Sequence, residues 1–88
     1  MSYKITFENT LAKPVQLEVH AGSGGCDANQ SVFDEQLAAG GTTEIDTDQN
    51  VVCYRRTADP DNPGTMTSWA TFSPDDINTP ATIDIGLI

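Results

Sequence analysis

Residues 51–72, VVCYRRTADPDNPGTMTSWATF, decide how the rest of the chain is read. Residues 51–56 are rich in β-branched and aromatic side chains, and residues 66–72 are again strand-like. Between them, residues 58–65 carry two Pro, two Asp, an Asn and a Gly, the composition of a stiff turn. The stretch therefore predicts two antiparallel strands joined by a loop of about eight residues. A hairpin alone is marginal in water, so neighbouring segments must complete a sheet.

Those segments lie on both sides. Tyr3, Ile5 and Phe7 alternate with Lys4, Thr6 and Glu8, the period-two pattern of a half-buried strand. After a turn at 9–14, Val15, Leu17, Val19 and Ala21 alternate with Gln16, Glu18 and His20, the cleanest strand in the chain. A glycine-rich loop at 22–31 leads to a weaker strand at 32–37, where Phe33 and Leu37 share a face with Glu35. Residues 31–39 also fit a short helix capped by Ser31, and strand is the expectation adopted. Residues 38–41 turn the chain, and 42–46 form a short strand anchored by Ile45. Past a polar loop at 73–80, residues 81–87 close the pattern with Ile83, Ile85 and Leu87 on one face.

About seven short strands with regularly spaced turn signals and no convincing helix imply an all-β domain. The expected fold is a small antiparallel β-sandwich with Greek-key connections, a small β-barrel being the alternative. The 88 residues suffice for one domain, residues 1–88, with a thin core. The order Cys26, Cys53, Trp69 differs from the immunoglobulin arrangement, which sets a Trp between two cysteines. Any immunoglobulin likeness is one of architecture, which does not carry function.

Thirteen acidic residues face four basic ones, for a net charge of −9. Phosphate backbones and anionic lipid surfaces repel such a protein, so neither nucleic acid nor membrane is an expected partner. Divalent cations, basic proteins and neutral ligands such as sugars or peptides remain. The charge also serves simply to keep a small β protein soluble, as a monomer or weak homo-oligomer. No apolar run approaches membrane-spanning length, and no signal peptide is visible, which favours the cytoplasm unless residue 1 opens a mature domain.

A disulfide between Cys26 and Cys53 would contribute roughly 3 kcal/mol by closing a loop of that length. With no export signal, free thiols are the expectation, Cys53 being buried mid-strand.

Three acidic groups are candidate metal ligands. Asp46, Asp48 and Asn50 occupy the first, third and fifth places of a D-x-D-x-N calcium loop, where alternate carboxylates converge on a hard cation. Val51 and Thr57 stand where the EF-hand pattern wants Gly and Glu, so this is no EF-hand. Asp59 and Asp61 give a second partial match, and Asp75 with Asp76 would complete a calcium site at a sandwich edge. As plain turn residues, the same Asp and Asn side chains bond their own backbone.

The candidate ligand site is aromatic. If Tyr54 and Trp69 share an outer sheet face, they form a stacking platform beside the donor Arg56, suited to a sugar ring or a peptide side chain. Otherwise Trp69 is covered and the arginines pair with surplus acids. His20 falls on a polar face with no matched nucleophile, and a solvent-facing ring is expected.

The expected function is thus a non-enzymatic binding module, engaging a protein or carbohydrate through loops or an aromatic sheet face. Alternatives are an acidic decoy or inhibitor of a basic protein surface, and a structural or adhesive module that works through open strand edges.

Overall fold

A computed structural model describes residues 2–22, 24–28, 30–74 and 79–88. Its strands are β1 (Tyr3–Glu8), β2 (Val15–Ala21), β3 (Gln30–Leu37), β4 (Thr42–Thr47), β5 (Val52–Arg56), β6 (Ala70–Phe72) and β7 (Ala81–Asp84). They form two packed sheets, β4-β1-β7 and β3-β2-β5-β6. The all-β sandwich anticipated from alternation is the fold, and it does not close into a barrel. Residues 30–37 are strand, not helix.

The alternating residues meet between the layers. Ile5, Phe7, Leu17, Val19, Val52 and Ile85 are each fully buried. Burying one such side chain is worth roughly 1.5–3 kcal/mol, so these few residues supply most of the drive toward two layers. The layers are tied at one end by Asn9. This fully buried side chain donates to the carbonyls of Lys13, Leu37 and Ala38 and accepts from the Leu11 N–H. Asn9 thereby locks the β1–β2 connection to the turn joining β3 to β4, where Gly40 takes the left-handed backbone (φ 72°) that only glycine adopts cheaply.

Three expectations need correction. The sheets are not wholly antiparallel: β1 runs parallel to β7. The last strand ends at Asp84, and Ile85–Leu87 form a 3₁₀ turn. Asp84 forces that turn by accepting from the Gly86 N–H and from Thr10 Oγ1, so Ile85 is buried while Leu87 is 83% exposed. Finally, Cys26 and Cys53 form a disulfide. The Cys26–Ala28 turn lies against β5, with the two Cα atoms 5.6 Å apart, an ordinary bridging distance. Linear spacing could not reveal that approach.

The central hairpin forms around its predicted loop, closed by the Ala58 N–H to the Thr65 carbonyl (2.8 Å). The returning strand is shorter than expected. It bridges at Met66 opposite Thr57, then carries one extra residue before regular pairing resumes at Ala70 opposite Tyr54.

Candidate functional site

The two faces of the β3-β2-β5-β6 sheet separate the predicted ligand residues. Alternation along β5 sends Val52, Tyr54 and Arg56 one way, Cys53 and Arg55 the other. The first set faces the sandwich interior. Tyr54 packs edge-on against Phe7 with ring centroids 5.3 Å apart, and its burial pushes the phenol pKa above 10.0. Arg56 is 6% exposed. Its guanidinium donates to the carbonyls of Ile85 (2.6 Å) and Thr57 (2.6 Å) and reaches the Ile88 oxygen (3.2 Å). Trp69 lies on the outer face. The platform of Tyr54, Arg56 and Trp69 is therefore not assembled, because the sheet stands between its members.

Trp69 instead caps a different group. The Arg55 guanidinium sits 4.3 Å from its ring centroid, the His20 ring packs against it tilted by 55° with centroids 4.8 Å apart, and its indole N–H donates to Asp27 at 2.9 Å. Below it, Glu18 bonds Arg55 Nε at 2.5 Å and His20 Nε2 at 3.2 Å. His20 Nδ1 must be the donor to the Cys26 carbonyl (2.8 Å), since a carbonyl only accepts. His20 is thus a buried, bonded ring and not the solvent-facing one expected. The disulfide holds this arrangement from above by pinning the Cys26–Ala28 turn to β5. Sequence reasoning had Glu18 and His20 on one face but missed the group, because it requires β5 to lie beside β2, a non-local pairing.

The acidic candidates also scatter. Asp59 Oδ1 accepts from the Asp61 N–H within its own turn, and Asp61 pairs with Lys13. Asp46 lies 3.7 Å from Lys4, which also approaches Glu44 at 3.8 Å. Asp46 and Asp48 both border a cleft of about 500 Å³ with Ser2, Ala21, Gln30 and Val32, while Asn50 lies outside that lining. Asp75 and Asp76 fall outside the described residues. Among the described residues, no three His, Cys, Asp or Glu side chains converge as a metal site would require.

What the topology does concentrate is charge along one flank. β3 and β4 are the edge strands of their two sheets and are joined by a short turn, so they lie over one another on the same side. Asp34 and Glu35 on β3, Glu44 and Asp46 on β4, and Asp48 just beyond place five carboxylates there. Lys4 is the cation beside them. Lys13, Arg55 and Arg56 are engaged with Asp61, Glu18 and backbone oxygens respectively.

Compared with family models, with curated proteins and with solved structures, the chain matches none.

Proposed function

We propose that the domain is a non-enzymatic binding module for a cationic protein partner, engaged along the β3–β4 flank. The observation that carries this is a local surplus of negative charge: five of the thirteen acidic residues lie on or just beyond the two edge strands, with Lys4 the basic side chain beside them and the other three basic side chains held elsewhere. Such an edge accelerates encounter with a basic surface and rejects acidic ones. This reading joins protein recognition to the acidic-decoy alternative. The carbohydrate reading loses its platform, since Tyr54 and Arg56 face inward. The disulfide suits an oxidising compartment, and so does an encounter with extracellular or periplasmic partners.

Titration with a blocked octalysine peptide, followed by amide chemical shifts, tests the proposal. Shifts should cluster at residues 34–35 and 44–48 and weaken steeply as salt rises. Neutralising the flank with Glu35→Gln, Glu44→Gln and Asp46→Asn together should weaken binding at least tenfold, about 1.4 kcal/mol, whereas Asp61→Asn should not. Shifts spread evenly over the surface, or none, would remove the proposal.

A further inference from the structure

Building on that cationic-partner reading, we infer that the open edge of β3 accepts a lysine- or arginine-bearing extended segment of the partner as an added strand. The argument begins with the backbone. Gln16 and Gly22 bond across to Thr57 and Val51 on the β5 side. Successive residues of an antiparallel strand bond in opposite directions, so Val15, Leu17 and Val19 turn toward β3. They pair with Leu37, Glu35 and Phe33. The intervening residues of β3, Asp34 and Gln36, therefore aim their N–H and C=O groups away from the sheet. Two residues with one donor and one acceptor each offer an incoming strand four backbone hydrogen bonds.

The neighbourhood defines where that ladder runs. Register between β2 and β3 slips at Val19/His20, leaving Val32 as an extra, unpaired residue. That bulge bends the edge and confines the regular template to Phe33–Leu37. Other edges are poorer hosts. β6 and β7 have three and four residues, and the β4 carboxylates are already drawn to Lys4.

Charge selects the occupant. A second copy of the chain is the usual hazard at an open edge. A two-fold ladder using both outward residues would set Asp34 against Gln36 and Glu35 against its own copy. Like charges directly opposite are destabilising, in a molecule already at −9. The same Asp34 and Glu35, one on each face of the edge, favour a cationic strand by the same arithmetic reversed.

The test uses a blocked seven-residue peptide alternating valine and lysine, compared with the same peptide N-methylated at every residue, so that neither of its edges retains a donor. Both carry equal charge, but the second cannot complete a ladder. The inference expects the unmethylated peptide to slow hydrogen exchange at the Asp34 and Gln36 amides by tenfold or more. It also expects binding at least tenfold tighter than that of the methylated form. Gln36→Pro, which removes an outward donor and leaves the β2 ladder untouched, should abolish the difference. Equal, salt-sensitive binding of both peptides overturns the added strand while leaving the acidic flank as the partner site. Binding of neither peptide overturns both readings. Protection of the same amides that instead rises with protein concentration, without peptide, makes the occupant a second copy and overturns the choice of a basic segment.

Discussion

Arg55 and Arg56 are neighbours in sequence and opposites in the structure. Arg56 turns into the sandwich and is solvated by main-chain oxygens. Arg55 turns outward, where Glu18 and the face of Trp69 receive it with 31% of its side chain still exposed. A buried cation requires partners for every donor, because no water replaces a missing one. The planar fork of Arg56 answers most of that demand, each of its three nitrogens finding an acceptor, by gathering the β5 end, the turn after β7 and the Ile88 oxygen onto one group. It is a tie between the two sheets. Arg55 is one member of a wetter arrangement whose other members can relax.

The sharpest way to break the contrast is to shorten each arginine in turn. Arg56→Ala should cost about 3 kcal/mol, since buried carbonyls of Ile85 and Thr57 lose their donors at roughly 1–3 kcal/mol each and the fork leaves a void. In a domain of this size that lowers the melting midpoint by roughly 15 °C. Arg56→Lys should rescue little of it, because one ammonium cannot reproduce the fork. Urea unfolding of both variants measures the effect, and a loss below about 1 kcal/mol would show that the carbonyls find water instead.

Arg55→Ala should cost about 1 kcal/mol, the scale of a partly exposed ion pair plus a cation–π contact. Its effect should shrink in high salt, while that of Arg56→Ala should hardly change, since ions screen a partly exposed ion pair but not buried hydrogen bonds to main-chain carbonyls. Parallel unfolding curves at 50 and 500 mM salt make the comparison. Equal salt dependence would erase the distinction between the faces.

That distinction was only half legible in the sequence. Alternation in residues 3–8 and 15–21 predicted β1 and β2 to the residue, because one-sided burial leaves a period of two that local reading can detect. The same alternation put Arg55 and Arg56 on opposite faces of β5. It did not tell which face was inner. Val52 and Tyr54 mark the core side only once β1 is known to cover them, and two arginines with two apolar pairs leave the strand nearly symmetrical. The fate of Trp69 was hidden for a related reason. Its partners come from residues 20, 27 and 55, joined through strand pairing and a disulfide that spans 27 positions. The β3–β4 flank escaped notice because its carboxylates come from two strands in different sheets, which a linear count disperses.

The smallest effect is also the most selective probe of the inner face. Tyr54 lies beside Arg56 on that side, and desolvation raises its pKa in the folded state above 10.0. The unfolded chain releases the phenolic proton near its ordinary pKa, while the folded chain retains it. Between those two values the unfolded state binds fewer protons, so stability falls as pH rises. The contribution is therefore whole below pH 10.0 and lost as pH climbs from there through the folded-state value. Tyr54→Phe keeps the ring against Phe7 but has no proton to lose. Its unfolding free energy should run level with the parent through neutral pH and fall less steeply above pH 10. If Tyr54→Phe follows the parent's decline, the phenol of Tyr54 reaches water, and the inner face around Arg56 is less dry than its carbonyl partners imply.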